Sequence, residues 1–125
     1  MFSIYRLFAG ADGKTHVQTG TVAADVPIDL VSAHFRKTPA HSSFDWHNDA
    51  TPQYVITLSG ALEFTTASGE TFTLHPGDVL LAEDNTDAVH RCCLINDQPW
   101  RRVCIAFKPG SESHFIEKTN DVWPA

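Results

Sequence analysis

Residues 53–82, QYVITLSGALEFTTASGETFTLHPGDVLLA, decide the architecture. Their apolar and polar positions alternate in short runs, and each run stops at turn-forming residues: Ser59-Gly60, Ser68-Gly69 and Pro76-Gly77-Asp78. Successive side chains of a strand point to opposite faces, so a period of two marks strands that turn one face to a core. Proline fixes φ and glycine frees it, which lets the chain reverse at those corners. The stretch therefore reads as strands over Gln53–Ser59, Leu62–Thr66, Thr71–His75 and Val79–Ala82. In the first, Gln53, Val55 and Thr57 share one face, and Tyr54, Ile56 and Leu58 share the other. Bulky β-formers on both faces predict that one lines a barrel while the other packs on a sheet or a second subunit.

Outward from this stretch the same pattern marks Phe2–Phe8, Thr15–Val22, Leu30–Lys37, Ala88–Ile95 and Trp100–Lys108. Turn-tolerant residues separate them at Gly10–Gly13, Asp25–Pro27, Asp84–Asp87 and Asn96–Pro99. Evenly spaced short strands with no internal repeat or linker predict one all-β domain over all 125 residues. The last stretch, Pro109–Ala125, departs from the pattern. There Ser111 or Ser113 is placed to cap a short helix through Asn120, with Phe115, Ile116 and Val122 as its apolar side. Such a tail is expected to cover one end of the barrel or a partner subunit.

The charge balance narrows the function. Lys plus Arg is 9 against 15 for Asp plus Glu, a net charge of −6 with histidines neutral. That favours solubility and argues against nucleic acid, which calls for a basic face. Arg91, Arg101 and Arg102 are the one basic cluster. No apolar run approaches membrane-spanning length, and MFSIYRLFAGADGK has no basic region followed by a long apolar stretch, so a cytoplasmic protein without a membrane partner is expected. Cys92, Cys93 and Cys104 contain no C-x-x-C pair, and neighbours on a strand point apart, so all three are expected reduced and packed.

Strand parity singles out the residues able to carry chemistry. An extended run over Trp46–Gln53 puts His47, Asp49 and Gln53 on one face. On Ala88–Ile95, His90 shares an inward face with Cys92 and Leu94. Burying a histidine unsatisfied costs roughly 1–3 kcal/mol, so His90 needs a partner. Two histidines converging with a carboxylate or an amide also match the way transition metals are held by nitrogen and oxygen donors. Glu83 and Asp84 begin the loop to His90 and read either as a solvated turn, the favoured reading, or as a carboxylate at the barrel mouth for acid–base work. His75 reads as exposed and structural, and Cys92 as packing rather than as a reactive thiol. Trp46 and Trp100 fit a pocket wall, an interface or the core. His16, His34, His41 and His114 carry no supporting motif.

Residues 46–64, WHNDATPQYVITLSGALEF, resemble the first motif of the cupin superfamily: H-x-H, three or four residues, E, six residues, G. Gln53 and Gly60 keep the last spacing. Leu74–Ala82 followed by His90 resembles the second motif, in which Pro-Gly-Asp precedes a strand and then a ligand histidine. The two lie in order within residues 44–94, with motif 1 at 44–64 and motif 2 at 69–94. The resemblance implies a double-stranded β-helix (jelly-roll) barrel, often a homodimer, with any metal near its centre. His47 then matches the first histidine and His90 the last, while Asp49 stands in place of the second histidine and Gln53 in place of the glutamate. The implied metal residues are thus His47, Gln53 and His90 with Asp49, and the ion is iron, manganese, nickel or zinc. Trp46 and Cys92 are expected at the pocket wall. His47-x-Asp49 with His90 also has the form of a two-histidine, one-carboxylate iron site, for which Arg101 or Arg102 would anchor an acidic co-substrate. Two functional readings remain open. One is a metal-dependent isomerase, lyase or dioxygenase of a small organic molecule; the other is a metal-free, non-enzymatic pocket that senses or sequesters such a molecule.

Overall fold

A computed structural model of the chain describes residues 2–47, 51–84, 90–108 and 110–118, the side chains of Trp46 and His47 excepted. In chain order the strands are β1 (Ile4–Ala9), β2 (Thr15–Val22), β3 (Leu30–Thr38), β4 (Ser43–His47), β5 (Gln53–Ser59) and β6 (Leu62–Thr66). They continue as β7 (Thr71–Leu74), β8 (Val79–Glu83), β9 (His90–Leu94), β10 (Trp100–Phe107) and β11 (Phe115–Glu117). Seven pair in the order β11-β2-β1-β8-β5-β10-β3, and four in the order β4-β9-β6-β7. No helix forms among the described residues, and none there is long and apolar enough to cross a membrane.

All nine strands expected from alternation form, and two more join them. The first is β4, which pairs with β9 at the edge of the small sheet. The second is β11, in the segment expected to be helical. Its backbone instead pairs with the edge of β2, Phe115 opposite Val22 and Glu117 opposite Gly20. An open strand edge offers inter-strand hydrogen bonds at once, whereas a short helix must first nucleate at a cost. Gly20 makes the approach possible: a Cβ there would lie 2.3 Å from the Phe115 ring. The expected helix through Asn120 is thus replaced by strand at Phe115–Glu117, and its remainder, residues 119–125, lies outside the described residues.

Closure is the second correction. The two sheets stack face to face, but no ladder joins them among the described residues, so the expected closed barrel is an open pair of sheets. Between them lies the main core, with Leu7, Leu62, Phe64 and Leu74 almost wholly buried. Burying each such side chain contributes about 1.5–3 kcal/mol. Phe72 stacks on Tyr5 at 4.8 Å and on Phe64 at 5.0 Å, binding the two sheets through aromatic faces. A smaller core forms on the outer face of the large sheet, where Ile4, Tyr54, Leu81 and Phe107 are covered by Val22, Ile28 and Phe115. The Tyr54 hydroxyl donates to the Ser113 carbonyl at 2.7 Å, and burial pushes the phenol up to about 12. Of the trio Tyr54, Ile56 and Leu58, the first is therefore covered by the chain's own C-terminal segment, while Leu58 is exposed.

Candidate functional site

The parity that buries Leu80 and Ala82 on β8 carries one residue past the strand, to Asp84, which has no exposed surface. The neighbouring position looks the other way: Glu83 takes a 2.7 Å hydrogen bond from Arg6 at the surface. Asp84 Oδ2 accepts two hydrogen bonds, from Thr15 Oγ1 at 3.0 Å and from His90 Nδ1 at 2.5 Å. A carboxylate only accepts, so Nδ1 carries the ring proton. The expectation of a solvated Glu83–Asp84 turn is therefore corrected at Asp84. It enters the core because His90, itself 2% exposed, supplies the partner that makes its burial tolerable. Asp84 Oδ1 is buried with no hydrogen-bond partner among the described residues.

Past His90 the space between the sheets widens into a cavity of about 430 Å³. Its apolar walls are Phe44, Val55, Phe64, Leu80 and Cys92, and the Phe64 ring lies 5.9 Å from that of His90. Polar groups reach it from both ends. Gln53 and His90 line it from β5 and β9, and Ser32, His34 and Arg36 line it from β3, with Arg102 from β10. Ser32 and Arg36 are exposed, so the cavity opens to solvent beside β3.

Strand β3 inverts the usual rule for a sheet. Its polar side chains Ser32, His34 and Arg36 face the cavity, while Val31 and Phe35 stand 66% and 82% exposed on the opposite side. Arg36 Nε donates to His34 Nε2 at 2.5 Å. Arg102 lies with its guanidinium 3.8 Å from the Trp100 ring centroid, and its Nη1 donates to Thr38 Oγ1 at 2.9 Å and to the Trp100 carbonyl at 3.3 Å. Trp100 is in turn fixed by donation from Nε1 to Thr57 Oγ1 at 3.3 Å. Burial draws the Arg102 guanidinium down from the ordinary arginine value.

Of the residues singled out from the sequence, Gln53, His90 and Cys92 line this one cavity. The backbone of His47 pairs with that of His90 across β4 and β9. His47 belongs to a strand of the small sheet and Gln53 begins one of the large sheet, and residues 48–50, on which the expected shared face of His47, Asp49 and Gln53 depends, lie outside the described residues. Asp49 lies outside the described residues, as do the side chains of His47 and Trp46. Arg102 reaches the cavity; Arg101 points the other way and donates from Nε to Ser59 Oγ at 3.0 Å. Cys92, Cys93 and Cys104 form no disulfide. Sequence reading favoured exposure for Asp84 and missed His34 and Arg36. Parity from Leu80 would have found the first, but nothing along the chain says that the polar side of β3 faces inward.

No protein-family model matches the chain, and no curated protein matches it. Solved structures do. The cupin domain of Schizosaccharomyces pombe Cnp3 is 13% identical, covers 86% of this chain and 89% of its own, and has a TM-score of 0.51. A protein with a double-stranded β-helix domain from Klebsiella pneumoniae is 14% identical over 90% and 91% of the two chains, TM-score 0.51. A cupin domain from Bordetella pertussis is 19% identical over 71% and 93%, TM-score 0.50. At these identities the likeness is one of fold, and it agrees with the paired sheets and the two motifs already described. The chain has the fold of small cupin domains.

Proposed function

We propose that the chain binds a small organic molecule in the cavity between its sheets, with His90 as the polar contact at the buried end. The observation that carries this is the Thr15–Asp84–His90 chain, in which a fully buried carboxylate holds one imidazole nitrogen against a cavity wall. Leaving a buried oxygen such as Asp84 Oδ1 without a partner costs roughly 1–3 kcal/mol, which an apolar residue at that position would avoid. Asp84 is therefore better explained by its hold on His90 than by packing. The cavity, at about 430 Å³, falls in the roughly 300–1,000 Å³ range of small-molecule sites, and both apolar and polar side chains line it.

The test is a fragment panel, neutral and charged, followed by the amide resonances of the full chain and of Ser32→Trp, which narrows the cavity at an exposed position. Expected are shifts on β5, β9 and β10 that disappear in Ser32→Trp. A panel that leaves those strands untouched, or shifts that survive the substitution, would overturn the reading.

A second reading, a metal-dependent isomerase, lyase or dioxygenase, is favoured by one observation: His47 stands in register opposite His90. His90 and Gln53 are the donors from the expected set whose side chains are described in the cavity, and no group of three or more His, Cys, Asp or Glu among the described residues could hold a metal ion. Those two donors by themselves are fewer than a transition metal takes. In this reading His47 and Asp49 complete the set for iron, manganese, nickel or zinc. Elemental analysis of untagged protein decides it. Stoichiometric metal that is lost in both His47→Ala and His90→Ala would uphold the reading, and metal-free protein would end it.

A further inference from the structure

We propose that the ligand is a small carboxylate with an apolar body, its carboxylate held at the cavity mouth by Arg102 and Arg36. This rests on the cavity reading above and adds the chemical class of the occupant. The first support is charge. Arg36 and Arg102 line the cavity, and no Asp or Glu lines it among the described residues, in a chain whose net charge is −6. Neither arginine has a carboxylate within ion-pair distance among the described residues. Acidic side chains outnumber basic ones by 15 to 9, so two cavity-lining arginines with no carboxylate at ion-pair distance among the described residues are a placement that packing alone does not call for. An anionic ligand supplies the missing charge.

The second support is preorganisation. Arg102 is fixed from three directions: the Trp100 ring beneath it, Thr38 Oγ1, and the Trp100 carbonyl. A planar guanidinium held this way keeps its fork in one orientation, which suits bidentate recognition of a carboxylate. Arg36 is oriented by its donation to His34, on the same inward face two residues away. The third support is the inversion of β3. Turning Ser32, His34 and Arg36 inward leaves Phe35 82% exposed, an arrangement that serves a polar ligand and no hydrophobic core. Below the rim, Phe44, Val55, Phe64 and Leu80 supply apolar walls for the ligand's body.

Benzoate and benzamide share one shape and differ in charge, so they serve as probes, with binding followed by titration calorimetry and by amide shifts of the full chain. Expected is at least about tenfold tighter binding of benzoate. Arg36→Gln and Arg102→Gln should each bring the two affinities together while benzamide binds as before. Arg36 is exposed, so its variant tests the idea even if Arg102→Gln disturbs the fold. Benzamide binding as tightly as benzoate, or a preference that survives both substitutions, would overturn the carboxylate assignment and leave the cavity reading standing. The same holds if neither probe binds but neutral members of the fragment panel shift β5, β9 and β10. A panel with no cavity binder at all removes both proposals.

Discussion

Thr15 and His16 are neighbours on β2, and each touches a carboxylate, yet the two contacts are built in different solvents. Thr15 faces inward and joins Asp84 and His90, whose side chains are 0% and 2% exposed. His16 faces outward, with Nδ1 2.8 Å from Glu70 and Nε2 2.9 Å from Asp12, on side chains 29%, 39% and 49% exposed. Both are histidine–carboxylate arrangements, and burial sets them apart. Inside, losing a partner strands a polar group that water cannot reach. Outside, water replaces whatever is removed, and salt screens what remains. The same hydrogen bond therefore matters to stability on one side of the strand and mainly to local charge on the other.

The most direct way to break this comparison is Asp84→Ala. It leaves His90 and Thr15 without their shared acceptor and is expected to cost about 3 kcal/mol, read as a lower urea midpoint. Asp12→Ala should lower that midpoint far less; equal losses from the two substitutions would refute the distinction. Thr15→Val keeps the shape and removes one donor from Asp84, with an expected loss of about 1–2 kcal/mol in the same measurement.

Arg102 is half-buried and should fall between the extremes. Arg102→Lys keeps the charge but gives up the planar stack on Trp100 and the fixed fork, so a loss of about 1 kcal/mol is expected in urea unfolding. It should also reduce any benzoate preference severalfold, which calorimetry would show.

The smallest effect belongs to the outer cluster and depends on pH. Hydrogen bonds from His16 to Asp12 and Glu70 hold its ring above the ordinary value of 6.5. Its contribution is therefore complete below that value and fades as pH rises through the raised one. Asp12 is held below its ordinary 3.8 by the Lys14 amide and by His16. Glu70 is held below 4.5 by Ser68 and His16 despite the opposing effect of burial. Their contributions are complete above those values and fade as pH falls through the lowered ones. The cluster should thus help most between about pH 4.5 and 6.5, and His16→Gln should flatten the stability profile on both flanks. A profile unchanged by the substitution would show that the surface cluster contributes nothing.

Much of the fold was legible along the chain because it depends on local periodicity. Alternation marked nine strands, and Ser59-Gly60, with Gly60 at φ 91°, marked the reversal between β5 and β6. Half of the inner site was legible too. A histidine on an inward strand face must be satisfied, and His90 is. Its partner was not foreseen, since Asp84 sits among turn-forming residues whose local pattern favours exposure.

What the sequence determined by itself was the class of the fold and the inward face of β9, because side-chain alternation follows from strand geometry alone. What only the tertiary structure decided was which way β3 faces, that β11 completes the large sheet in place of a helix, and that Asp84 is dry. Each of these turns on what lies across from a residue rather than beside it. Exposure of a side chain is set by the neighbouring sheet, and no period in the chain encodes that distance.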